Sequence, residues 1–373
     1  MTTKVCHILD NLRPGVGVTQ IIFDLMSDER IDCRGLYIGA SDIDPRFDDK
    51  VFKISPVDGF FDTLKQLRNL RSQGFNVLHV HSRKADMIAM AARLLGYRVI
   101  RTQHFGTITD SSPVSLRRKG FARLRNALTL RTWWVSRWAA VSSTSVAYLA
   151  QRWHIPARRI SVIYNGIDLD LYHELSCVDK TRRRQALGWE KDWIVFISVG
   201  SLVTRKRHSE IIRQFADIAA NYPAARLVIA GAGSERGKLE ALKTQLGLEE
   251  RVQLLGHRAD VPDLLQASDV YVHGAIDEAF GLVVIEGMAC GLPAIAYDAK
   301  GPAEIVTDGE TGILVPPTQD GALTTAMATL ASQRDLCEIM GRQARERVER
   351  QFSLSAMREA YLQEYIRLGI NSD

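Results

Sequence analysis

The sequence predicts an α/β protein built as two Rossmann-like, doubly wound domains, each a parallel sheet flanked by helices. Three observations point there. Short β-branched runs alternate with longer amphipathic stretches, the rhythm of βαβ units. That rhythm lapses once, between Asn165 and Asp192, and then restarts. The chain is also 373 residues long, more than one hydrophobic core usually supports.

From the amino terminus, Met1 to Lys4 lead into an alternation of apolar and polar residues through Asp10, without the continuous apolar block of a secretory signal. This segment reads as a first strand. Pro14, Gly15, Val16 and Gly17 follow it and precede a helical pattern from Val18. Further strands are expected at Val77 to Val80, Arg98 to Thr102, Ala139 to Ser142 and Ile160 to Tyr164. The stretch from Asn165 to Asp192 is polar and charged, with basic residues at Arg182 to Arg184, and holds the domain junction. A second series runs Trp193 to Val199, Arg226 to Ala230, Val252 to Leu254, Val270 to Val272, Pro293 to Tyr297 and Gly312 to Val315. A helical run, Leu354 to Leu368, closes the chain. The expected division is 1–176, 177–353 and a final segment, 354–373, free to return to the first domain. Two such domains in tandem are expected to bring the carboxyl ends of both sheets to a shared cleft, where ligands of such sheets bind.

Composition narrows the classes. Hydrophobic residues make up 46% and charged residues 24%, which suits a globular chain and excludes extended disorder. The longest apolar stretch, Val283 to Tyr297, is interrupted by Glu286, Gly287, Gly291 and Pro293, so no bilayer-spanning segment is expected. Five cysteines, Cys6, Cys33, Cys177, Cys290 and Cys337, are odd in number and widely spaced. They suit a reducing cytoplasm better than a disulfide framework or a metal site. The net charge of +5 is uneven: residues 1–176 carry 25 basic against 16 acidic side chains, the remainder 23 against 27. An anionic membrane surface, nucleic acid or an acidic acceptor would each suit the first half.

The most informative stretch runs from Asp277 to Pro293. It follows a predicted strand and opens a helix, so backbone N–H groups near Phe280, Gly281 and Leu282 are expected to face an anion, with Gly281 allowing close approach. Ala279 lies in the same cradle. Glu278 precedes the helix and Glu286 is expected two turns inside it. Carboxylates suit vicinal hydroxyls because they accept two donors at once. Single glutamates usually cap a helix or pair with a surface base; the joint spacing and apolar setting argue against that here.

This stretch resembles the E-x7-E signature of retaining glycosyltransferases of the GT-B fold, glycosyltransferase family 4. Cys290, Gly291, Leu292 and Pro293 match the same family, as do Asn165 to Asp168, Gly200 to Lys206, Gly231 to Gly233 and Gly301 to Gly312. The resemblance implies that Glu278 holds donor-sugar hydroxyls, Glu286 the ribose and Lys206 the diphosphate of a nucleotide sugar, with uridine the default base. A fixed ammonium stabilises a departing diphosphate without a metal, so no metal and no cofactor are expected. The family commonly has an arginine directly after the glycine matched by Gly200; this chain has Ser201, and Arg205 is expected to supply the second cation. Gly17, with Gly15 beside it, matches a glycine near the diphosphate and acceptor. Alone, Gly15-x-Gly17-x-x-Gln20 lacks the third glycine of a dinucleotide fingerprint, which disfavours an NAD-dependent dehydrogenase. His104 ends a strand where the family places a histidine beside the reacting sugar, whereas His79 and His81 read as structural. Retention in such enzymes needs no enzyme nucleophile, the diphosphate oxygen taking the acceptor proton as the new bond forms on the same face. No pair of carboxylates suggests hydrolysis.

Between Leu116 and Trp138, Arg117, Arg118, Lys119, Arg123, Arg125, Arg131 and Arg137 interleave with aromatic residues including Trp133, Trp134 and Trp138, without an acidic residue. Such a segment suits an anionic membrane interface, on the cytoplasmic face of the inner membrane or against a lipid-linked acceptor; a core-facing helix with a basic side fits equally. The acceptor is expected to be a saccharide or lipid-linked sugar of cell-surface polysaccharide or lipopolysaccharide synthesis. Competing readings are a nucleotide-sugar epimerase or sugar-phosphate synthase of the same architecture, and a basic nucleic-acid-binding protein, against which no recognised binding module appears.

Overall fold

A computed structural model describes residues 3–10, 12, 17–39, 43–53, 59–81, 85–104 and 131–370. The chain divides into two compact units, Met1–Gly166 with Leu354–Asp373, and Ile167–Ser353.

In the first unit, seven parallel strands are described: β1 Thr3–Leu9, β2 Ile31–Tyr37, β3 Val51–Lys53, β4 Val77–Val80, β5 Arg98–Gln103, β6 Arg137–Ala140 and β7 Ile160–Val162. They lie in the order β3-β2-β1-β4-β5-β6-β7, so the winding direction reverses between β1 and β4. β2 and β3 were not expected. β2 carries Asp32, Arg34 and Gly35, which read as loop residues, yet a Cβ at Gly35 would lie 2.7 Å from Val51 and 2.9 Å from Leu9. The glycine is there because β1, β2 and β3 meet tightly.

One face of this sheet, with Cys6, Ile8, Leu78, Val80, Val99 and Trp138, packs on Leu67 and Leu70 of the helix Gly59–Ser72 and on Ile88, Ala89 and Ala92 of Asp86–Leu94. The alternate side chains of the same strands, His7 and His79 among them, meet Tyr361 and Tyr365 of the carboxy-terminal helix Leu354–Ile370. That helix belongs to the first unit.

The second unit contains β8 Ile194–Val199, β9 Ala225–Ala230, β10 Val252–Gly256, β11 Val270–His273, β12 Ala294–Tyr297 and β13 Gly312–Val315. The order is β10-β9-β8-β11-β12-β13, parallel throughout, with the reversal between β8 and β11. Its core joins Phe196, Leu227, Ile229, Val272 and Ile295 to Ile211 and Phe215 of His208–Asn221 and to Leu323, Met327 and Leu330 of Ala322–Ser332.

The polar stretch from 165 to 192 is not a linker along its whole length. Ser176 caps the helix Cys177–Ala186, accepting from Asp179 N, and Lys180 and Arg184 of that helix bind Asp269 at 2.9 and 2.6 Å. Asp269 also accepts from Val195 N at 2.8 Å. Burial works to raise its pKa, but the two cations outweigh it and hold the carboxyl low. The basic cluster thus anchors the start of the second unit, and the chain crosses between units at Gly166–Ile167 and again at Ser353–Leu354. Ile167 and Ser353 pair as an isolated parallel bridge, so the two crossings lie side by side.

Candidate functional site

The second unit gathers charge where β8, β9 and β11 end. After β8, Gly200 takes φ 155, and after β9, Gly231 takes φ 154, a region that favours glycine. A Cβ at Gly231 would lie 1.9 Å from Gly200 O, and one at Gly233 would lie 2.3 Å from Leu202 O. The two loops therefore run backbone against backbone, joined by Gly200 N donating to Ala230 O and Leu202 N to Ala232 O.

That loop after β8 turns through a 3₁₀ segment, Thr204–Lys206, into the helix His208–Asn221, with Arg207 at φ 53. The charges from Arg205 to His208 divide rather than forming a solvated run. Lys206, largely buried, reaches Glu278 Oε2 at 2.5 Å. Arg205 donates to the same oxygen at 3.0 Å and to Asp277 O at 3.1 Å. Arg207 lies over the Tyr297 ring, and His208 is buried. Burial works to raise the pKa of Glu278; Lys206, His273 and Arg205 overcome it, and the carboxyl is held below its ordinary value.

Gly281, at φ 122, precedes the helix Leu282–Ala289. Glu286 is the fifth residue of that helix, just over one turn inside rather than two, because the helix begins four residues after Glu278. Burial pushes the Glu286 carboxyl up to about 7, and Lys206 only partly offsets it. Gly287 packs against Tyr271 of β11, where a Cβ would lie 2.9 Å from the ring. Phe280 is buried against Phe352, while Ala279 and Leu282 are half-buried. Lys300 closes the far side on Asp277, and Gly301 allows its backbone to lie against Phe280. The structure thus joins Lys206, Arg205, Glu278, the helix start at Gly281 and Glu286 in one place.

His273 was not anticipated. It ends β11, is 2% exposed, and turns Nε2 toward Glu278 Oε2 at 3.8 Å, with no hydrogen-bond partner for that nitrogen among the described residues. Burial and the neighbouring Lys206 lower its pKa to about 3. A histidine closing a strand was the available signal, the same one that singled out His104.

In the first unit, His104 follows β5 directly and is 8% exposed. Its Nε2 meets His81 Nδ1 at 3.2 Å, and His81 Nε2 meets His7 Nδ1 at 3.0 Å. His7 Nε2 lies 3.7 Å from Cys33 Sγ. His81, read from sequence as structural, is therefore bonded to His104 itself. His79 bonds Tyr365 Oη at 2.6 Å and Thr102 Oγ1 at 2.7 Å. Burial lowers all four imidazoles, His7 to about 3 and His104 to about 4, with His79 and His81 well below their ordinary value. Potential ligand atoms of His7, His79 and His81 lie within 4.8 Å of one another, a spacing that could hold a metal. Every ring nitrogen of the three already has a partner, which a metal would have to displace.

Gly17 begins the helix Gly17–Met26 and is exposed. Gly15 lies outside the described residues, as do Arg117, Arg118, Lys119 and Arg123. Of the basic aromatic segment, Trp133 is 76% exposed and Trp134 half-buried. Its last residues are structural: Trp138 is fully buried in the core, and Arg137 binds Glu364 of the carboxy-terminal helix at 3.0 Å. Both sit on β6, between β5 and β7, with Trp138 in the core on one face and Arg137 bound to the carboxy-terminal helix. Among the described residues, no helix is long and apolar enough to cross a membrane.

Two family models match the chain, glycosyltransferase family 4 over residues 44–171 and glycosyl transferases group 1 over 179–347. An Escherichia coli UDP-Gal:α-D-GlcNAc-diphosphoundecaprenol α-1,3-galactosyltransferase is 24% identical, covering 99% of this chain and 98% of its own. The structure of Anabaena HepE with UDP and glucose superposes with a TM-score of 0.79 at 23% identity, covering 97% of this chain and 99% of that one. WaaG, a glycosyltransferase of lipopolysaccharide biosynthesis, gives a TM-score of 0.74 at 18% identity, covering 95% and 98%. These last two likenesses carry the GT-B fold. With the two models laid in order over both units, the chain belongs to the group 1, family 4 glycosyltransferases.

Proposed function

We propose that this enzyme moves a hexose-type sugar, with retention of configuration and without a metal, from a nucleotide-diphosphate sugar to a saccharide or lipid-linked acceptor. The observation that carries this reading is the convergence of Lys206 and Arg205 on Glu278, beside the start of the helix that bears Glu286. Two fixed cations beside a helix N-terminus suit a diphosphate that gains charge as it leaves. Glu278 is kept ionised and suits donor hydroxyls, and Glu286 suits a ribose diol. HepE binds UDP and glucose, and the E. coli relative is named for UDP-galactose and a lipid-diphosphate acceptor, which supports a uridine donor and a role in cell-surface polysaccharide or lipopolysaccharide synthesis. His104 takes the place beside the reacting sugar, and the diphosphate oxygen accepts the acceptor proton.

Thermal unfolding with UDP-, GDP- and ADP-sugars tests the donor site, since a ligand selective for the folded state raises the midpoint. A rise with UDP-sugars in magnesium-free buffer, lost in Lys206→Ala, is expected; no rise with any nucleotide sugar sinks the reading. Product analysis separates transfer from epimerisation or sugar-phosphate synthesis. Trp133 is exposed, and the sequence before it carries Arg117, Arg118, Lys119 and Arg123, a composition that suits an anionic membrane surface; failure to sediment with anionic vesicles would remove that part.

A further inference from the structure

Cys33, His7, His81 and His104 form one hydrogen-bonded line through the first unit. Its inner end is closed, with His7 at 0% and Cys33 at 5% exposure, and its outer end is His104, immediately after β5. Parallel pairing builds the line. β1 and β4 are neighbours in a register that sets His7 beside His79, which carries the chain to His81, and β5 next to β4 brings His104 alongside.

The atoms that meet couple the three rings. A neutral imidazole carries one ring proton, so one nitrogen donates and the other accepts. His7 Nδ1 faces His81 Nε2, and His81 Nδ1 faces His104 Nε2. If His7 donates from Nδ1, His81 accepts at Nε2 and must donate from Nδ1, and His104 then holds its own proton on Nδ1. If His7 accepts instead, all three hold the proton on Nε2. No mixed set satisfies both bonds.

The inner end selects between the two. Cys33 keeps its proton, since burial pushes the thiol up to about 12. A thiol proton is a weak donor and thiol sulfur a weak acceptor, whereas a bare imidazole nitrogen accepts strongly, so the better pairing is S–H donating to His7 Nε2. That requires His7 to hold its proton on Nδ1, and the other two follow.

We infer that His7 and His81 are positioning residues that hold the His104 ring and fix its proton on Nδ1, making the remaining nitrogen of His104 a hydrogen-bond donor. In the glycosyl-transfer reading, on which only its use rests, this donor meets an oxygen of the reacting sugar or the acceptor. Because burial keeps the set uncharged, the position of the proton is decided by the bonds rather than by pH near neutrality.

Imidazole nitrogen NMR of the full chain labelled with 15N-histidine reads this without a substrate, so its outcome is independent of the glycosyltransferase reading. The expected spectrum shows His7, His81 and His104 each protonated on Nδ1 and bare on Nε2, assigned by single His→Asn variants. Any one of the three protonated on Nε2 overturns the inference. In a transfer assay, His7→Leu is expected to lower kcat about tenfold with donor KM unchanged, and His7→Asn, whose amide can still bond His81, to recover most of it. An unchanged kcat in a folded His7→Leu protein overturns the positioning role, and the parent spectrum decides if that variant fails to fold.

Discussion

The two units bury polar side chains in opposite ways. In the first, four histidines pack together as uncharged rings tied by neutral hydrogen bonds. In the second, the largely buried Lys206 and the exposed Arg205 share a carboxylate, Glu278, which they hold below its ordinary pKa. An imidazole can give up its charge at little cost when buried, whereas an arginine cannot, and a lysine does so only under strong desolvation. The histidine set is therefore suited to holding geometry and the cationic set to meeting charge. Glu286 crosses the divide: it sits in the charged unit yet behaves like the histidines, pushed toward its uncharged form.

Removing the ammonium gives the largest expected effect. Lys206→Ala should lower kcat for sugar transfer by about 10²–10³-fold, the usual scale for losing one fixed group that stabilises developing negative charge. A kcat within a few fold of the parent would mean that Arg205 alone serves the leaving group. Next comes the scaffold beneath that charge. Gly231→Ala places a methyl on Gly200 O in a backbone conformation that favours glycine, at a cost of about 3 kcal/mol or more. The thermal midpoint should fall by about 6–12 °C; an unchanged midpoint would show that the two loops move apart freely.

Smaller, but sharper for the contrast, is the pH dependence of Glu286. Its folded pKa, about 7, lies above the ordinary 4.5, so the folded state is favoured by the protonated carboxyl. This contribution is complete below pH 4.5 and is lost as pH rises through 7. Relative to Glu286→Gln, which cannot ionise, the parent should lose about 2–3 kcal/mol across that window. Parallel stability curves for the two proteins would show that burial does not raise the Glu286 carboxyl, and a parent that gains stability over Glu286→Gln as pH rises would place it with the ion-paired groups instead.

What could be read from sequence followed local signals. β8 to β13 are short, predominantly apolar runs, and each expected strand of the second series lies within a residue or two of its observed bounds. Glu278, Glu286 and Lys206 carried their own motif, but their meeting did not, because nothing in a separation of 72 residues reveals that β8 and β11 are neighbours. β2 stayed hidden because its glycine and charges answer to packing against β1 and β3 rather than to strand propensity. His81 was passed over for a related reason. An isolated histidine looks structural until strand order sets it between two others, and register is a property of the sheet rather than of any one segment.

The two crossings between units, paired at Ile167 and Ser353, bear on how the molecule is made. The second unit is one uninterrupted stretch and can close on itself as soon as residue 353 has left the ribosome. The first unit begins earlier but must wait, because Tyr361 and Tyr365, which bond Thr102 and His79, arrive only with the carboxy-terminal helix. The unit synthesised first is the one completed last. A fragment ending at Gly166 would leave the buried side of its sheet, histidines included, open to water.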